Sequence, residues 1–88
     1  MPAITLTEEN FDREVQESNR PVLVSFSQNT DLSVPDYKCC KVDVRKSVGL
    51  ARRYRIYSVP TVLLFRGGRV TDTIVGSVGS EQLMRILQ

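Results

Sequence analysis

The 88-residue chain is 41% hydrophobic and 25% charged, and its twelve basic and ten acidic side chains leave a net charge of only +2. Those values fit one soluble globular domain with a small core, and the near balance excludes the strong one-signed field that grips nucleic acid or a membrane surface. The absence of histidine removes Ser-His and Cys-His nucleophile pairs and the commonest zinc ligand.

The two cysteines, Cys39 and Cys40, are adjacent, a spacing that suits neither a disulfide framework nor a metal site. No cofactor is expected. The opening residues lack a basic start followed by an apolar run, and no stretch of about 18 apolar residues occurs, so the expectation is a cytoplasmic protein in a reducing compartment.

In chain order, residues 3 to 6 read as a short strand. Thr7 then offers an N-cap, with Glu8 and Glu9 in the first turn of a helix to about Ser18 anchored by Phe11 and Val15. Asn19, Arg20 and Pro21 end it. Pro21 to Phe26 is nearly continuous in apolar and β-branched residues, the pattern of a strand buried on both faces of a parallel sheet. Residues 27 to 37 are rich in turn formers and have no helical period.

Strand character resumes from Cys39 to Val44, and Ser47 caps a short helix with Val48, Ala51 and Tyr54 on one face. Thr61 to Phe65 and Val70 to Val75 flank Gly67-Gly68, which predicts a tight hairpin of type I′. Gly76 and Gly79 break the last strand. Ser80 then caps a final helix with an apolar stripe of Leu83, Met84 and Leu87. The order is strand, helix, strand, loop, strand, helix, strand, strand, helix.

The sequence resembles the thioredoxin family in Asn10-Phe11 with Val15, in Pro21-Val22-Leu23-Val24 with Phe26, and in Lys41-Val42-Asp43-Val44. The resemblance is strongest in Tyr54 to Thr61, and it continues through Leu63-Leu64-Phe65, Gly67-Gly68 and Val75-Gly76. It implies an α/β, thioredoxin-like fold in a single domain over residues 1–88, with a mixed central sheet of about five strands. It also implies a cis peptide before Pro60 and two readings of Val59, Pro60 and Thr61: a bend kept for fold geometry, or a retained peptide-contacting segment.

The same resemblance exposes a gap. The family places Trp-Cys-Gly-Pro-Cys and a long helix after the strand matching Val22 to Phe26. Here only the fourteen residues Ser27 to Cys40 separate Phe26 from Lys41, and no Cys-x-x-Cys occurs. The attacking thiolate and the resolving thiol of disulfide exchange are both absent from that position. The family's buried carboxylate is matched by Ser25, with the neighbouring lysine kept as Lys41. Catalytic residues are therefore expected to be none, with Cys39 and Cys40 the remaining thiols. Neighbours on a strand point to opposite faces, and a bridge between them would be strained, so they are not expected to pair.

The expected function is a redox-inactive structural or interaction module with a protein or peptide partner and neither nucleic acid nor membrane. Two alternatives stand beside it: an atypical oxidoreductase using Cys39 or Cys40, and a deletion variant of an ordinary family member. Loss of the helix should uncover apolar strand surface, to be covered by a second copy of the chain or a partner, with Leu32, Val34 and Tyr37 patching the gap. Arg45, Lys46, Arg52, Arg53 and Arg55 around the second helix read as a solvated face, with an anionic partner as the alternative.

Overall fold

A computed structural model of the chain describes residues 3–28, 32, 34–76 and 79–87. Five strands form one mixed sheet: β1 (Ile4–Thr5), β2 (Val22–Ser27), β3 (Lys38–Asp43), β4 (Thr61–Arg66) and β5 (Arg69–Val75), in the spatial order β1-β3-β2-β4-β5. The pairs β1/β3 and β3/β2 are parallel, and β2/β4 and β4/β5 are antiparallel. β2 is central and all six of its residues are buried, which is why its sequence shows no polar alternation. This is the α/β architecture with a mixed five-stranded sheet that the sequence predicts.

The helical segments are shorter than their patterns suggest. The first is a π-helical stretch, Asp12–Gln16, entered through a turn in which Thr7 and Asn10 exchange hydrogen bonds: the Thr7 N–H donates to Asn10 Oδ1 at 2.7 Å and the Asn10 N–H to Thr7 Oγ1 at 3.3 Å. Phe11 and Val15 are its buried anchors, as their spacing requires. Helix α1 spans Val48–Arg53 and helix α2 spans Ser80–Ile86.

Four expected details are corrected. Ser47 precedes α1 but makes no cap; its hydroxyl lies 3.5 Å from the Leu6 carbonyl oxygen. Val48 is exposed and Leu50 is buried with Ala51 in its place, because α1 presents the following positions to the sheet. In α2, Gly79 holds the cap position, with its N–H donating to Gln82 Oε1 at 3.1 Å, and Ser80 is the first helical residue. Met84 there points to solvent, and Leu83, Ile86 and Leu87 make the apolar stripe.

Each face of the sheet carries its own cluster. On one, Val22, Val24 and Phe26 of β2 meet Cys40, Val42, Leu63 and Phe65 under Phe11, Val15 and Leu50. Tyr54 packs edge-on against Phe65, with ring centroids 5.4 Å apart, and contacts Phe11 at 5.6 Å. On the other face Leu23, Val62 and Leu64 lie under Leu32, Val34, Tyr37 and the α2 stripe. The β4–β5 turn has positive φ at both Gly67 (60°) and Gly68 (79°), as a type I′ hairpin needs.

Among the described residues no helix lies between β2 and β3. Of the predicted loop 27–37, positions 29–31 and 33 lie outside the described residues. Leu32, Val34 and Tyr37 do pack over the face carrying Leu23, Val62 and Leu64, with the Tyr37 hydroxyl donating to the Leu87 carbonyl oxygen at 2.9 Å. Leu23 and Leu64 are fully buried and Val62 is 2% exposed, so this strand surface is closed within one chain. The open apolar face inferred from the sequence is corrected accordingly. Loop side chains and α2 do part of a helix's work because ten residues of extended chain suffice to run back along a six-residue strand.

Candidate functional site

The segment Val59-Pro60-Thr61 enters β4 through a cis peptide between Val59 and Pro60. Two backbone-directed bonds hold it. The Thr61 hydroxyl donates to the Ser58 carbonyl at 2.6 Å, and the Gly76 N–H donates to the Pro60 carbonyl at 2.8 Å, which ties the start of β4 to the end of β5. Thr61 is thereby buried at 3% exposure, whereas Val59 is 40% exposed. Of the three residues, Val59 offers the most side chain to a partner. Val75 is paired with Thr61 across the ladder and is exposed, as is Tyr57 just ahead of the bend. These two are neighbours the sequence reading missed. Alternation in β5 marks Val75 as facing one side, but only the position of β5 at the sheet edge leaves that side uncovered.

The cysteines sit on β3 and pack on opposite faces. Cys40 belongs to the larger cluster, in register with Val24 of β2 and Ile4 of β1, and has no exposed surface. Burial, which penalises the thiolate, pushes its pKa up to about 11. Cys39 packs on the other cluster and is half-buried. Its Sγ accepts the Val34 N–H at 3.3 Å and lies 3.6 Å from the Tyr37 carbonyl oxygen. The structure therefore does not bring the two sulfurs together into a dithiol.

Ser25 is buried on β2, directly in register with Lys41 on β3. A hydroxyl stands where the family resemblance implies a carboxylate, and at neutral pH it cannot serve as the proton acceptor that a carboxylate would be. Among the described residues no group of three or more His, Cys, Asp or Glu side chains is arranged to hold a metal. No helix among them is long and apolar enough to cross a membrane.

The basic residues around α1 are partly tied down. Arg45 straddles the Asp43 carboxylate at 3.3 Å to each oxygen, and its backbone N–H donates to the same group at 2.9 Å; both bonds hold the Asp43 pKa below its ordinary value. Arg53 lies over the rings of Phe11 and Tyr54, 5.4 Å from each centroid, with Asp12 at 3.8 Å. Arg55 follows in the left-handed region, at φ 55°. The far end of the sheet is fixed differently: Lys38 Nζ contacts Glu14 Oε1 at 2.9 Å and the Glu14 carbonyl oxygen at 2.8 Å, joining β3 to the π-helical stretch.

The family model described as thioredoxin matches residues 27–88. Thioredoxin M5, chloroplastic, of Oryza sativa subsp. japonica is 32% identical over 99 residues, covering 96% of this chain and 58% of the relative. The thioredoxin of Mycobacterium tuberculosis (strain ATCC 25618 / H37Rv) is 32% identical over 104 residues, covering 96% and 85%. The bifunctional thioredoxin reductase/thioredoxin of Mycobacterium leprae (strain TN) is 32% identical over 104 residues, covering 96% and 22%. The chain thus spans less than two thirds of two of these relatives. Each aligned stretch is longer than the whole 88-residue chain, so the relatives hold residues there that this chain lacks.

Proposed function

The chain belongs to the thioredoxin family, and we propose that within it this protein is a redox-inactive domain, serving in a reducing, cytoplasmic setting as a structural or protein-interaction module. The observation that carries the proposal is the placement of its two sulfurs. Dithiol exchange needs an accessible thiolate and a second sulfur close enough to resolve the mixed disulfide. Here Cys40 is sealed in the core with its pKa near 11, and Cys39 faces the other side of the sheet. The relatives are named thioredoxins, but the Cys-x-x-Cys on which disulfide reduction depends does not occur in this sequence.

An interaction role is supported by what remains exposed: Val59 at the bend before β4, flanked by Tyr57 and Val75, is a surface suited to a protein or peptide partner. Reduction of insulin by dithiothreitol tests the redox half of the proposal. The expected rate with the protein equals that of dithiothreitol alone, in the natural chain and in Cys39→Ser. Turnover above background that disappears in Cys39→Ser would overturn it and establish the single-thiol alternative, for which the half-buried Cys39 is the remaining candidate.

A further inference from the structure

Continuous with the Val59-Pro60 bend, which Ser58 and Thr61 flank, a groove of about 430 Å³ runs between residues 53–58 and β5. Ile56, Leu63, Val70 and Val75 supply an apolar lining, and the charged side chains along it among the described residues are Arg53 and Arg55. Three exposed large hydrophobic residues, Tyr57 at 88%, Val75 at 64% and Val70 at 39%, gather here. Arg53 is held in place over two aromatic rings, whereas Arg55 has no ion-pair partner among the described residues. β5 ends the sheet, so among the described residues no strand pairs with its outer edge, and Thr73-Ile74-Val75 carries none of the charges that usually blunt such an edge.

We propose that this groove docks an extended segment of a partner protein in which apolar and acidic residues alternate, its apolar side chains against Val70 and Val75 and its carboxylates against Arg53 and Arg55. The segment would lie in the groove between β5 and residues 53–58, with one side turned to each wall. Charge decides between occupants. A second copy placed two-fold across the same groove would set its own Arg53 and Arg55 against these, and like charges opposed at an interface are costly. An acidic partner removes that conflict.

This inference rests on reading the chain as an interaction module, and its test uses no thiol chemistry, so its failure leaves the insulin result standing and the reverse. The probe is a fluorescently labelled, cysteine-free peptide of alternating glutamate and valine, compared with its lysine-valine counterpart by anisotropy at low ionic strength. The acidic peptide is expected to bind at least tenfold more tightly than the basic one and to weaken as salt is raised. Arg55→Asn, which tolerates the left-handed backbone while removing the charge, and Val75→Asp, at an exposed site, are each expected to weaken binding at least fivefold. Met84→Asp, exposed on α2, should leave it unchanged. Equal binding of the two peptides, no binding of the acidic one, or indifference to Arg55→Asn would overturn the proposal. Arg55→Asn and the salt dependence decide the matter even if Val75→Asp does not fold.

Discussion

Cys39→Ser leaves Cys40 as the only thiol, and the behaviour of that thiol follows from its position in the core. Burial raises its pKa from the ordinary 9.0 to about 11. At pH 8 the thiolate fraction then falls from ~10% to ~0.1%, about a hundredfold, before access to reagent is considered. A chromogenic disulfide reagent should therefore react with native Cys39→Ser at least a hundredfold more slowly than with the same variant in guanidinium chloride. The shift also fixes the sign of an alkaline effect. The folded state holds its thiol proton to higher pH than the unfolded chain does. Stability is thus unaffected by this group below about pH 9 and is lost between pH 9 and 11, by up to about 2–3 kcal/mol. Urea midpoints at pH 8 and pH 10.5 should separate for the Cys40-bearing chain and separate less for Cys40→Ala. Native reactivity within tenfold of the unfolded value, or identical alkaline loss in Cys40→Ala, would refute the reasoning.

The hairpin glycines should differ. Gly68→Ala combines φ 79° with a Cβ 3.2 Å from the Gln16 carbonyl oxygen, whereas a Cβ on Gly67 meets nothing within 4 Å, so thermal denaturation should show the larger fall for Gly68→Ala. About 1 kcal/mol is expected for Gly67→Ala from the left-handed backbone alone. The hydrogen bond and charge of Lys38 hold the Glu14 pKa below 4.5, so this pair stabilises the fold above that pH and the benefit is lost as pH falls through the folded value. Acid unfolding followed by circular dichroism should be less pH-dependent in Glu14→Gln. Tyr37→Phe removes the bond to the Leu87 carbonyl and should cost about 1 kcal/mol, with amide exchange in α2 accelerated more than in β2.

The resemblance carried by Tyr54 to Thr61 and Gly67-Gly68 was legible because those residues answer local demands, positive φ in a two-residue turn and a proline at a fixed bend. The unbroken apolar run of β2 was legible because both its faces are covered. Less legible was which turn of a short helix faces inward. A six- or seven-residue helix has too few apolar positions to define one stripe, so Val48 and Met84 were exchanged for Leu50 and Ile86.

The candidate groove was hidden for a related reason. Val70 and Val75 lie in a strand pattern that does not tell an edge from a centre, and the edge position of β5 leaves them in water.

By itself the sequence determined the family, the strand and helix order, and the absence of a Cys-x-x-Cys, since each is written in residue identity and spacing. Only the tertiary structure decided that the face carrying Leu23, Val62 and Leu64 is closed by Leu32, Val34, Tyr37 and α2, and that Cys39 and Cys40 part to opposite sides with Cys40 sealed. Burial depends on what distant parts of the chain bring to a surface, and local pattern does not encode it.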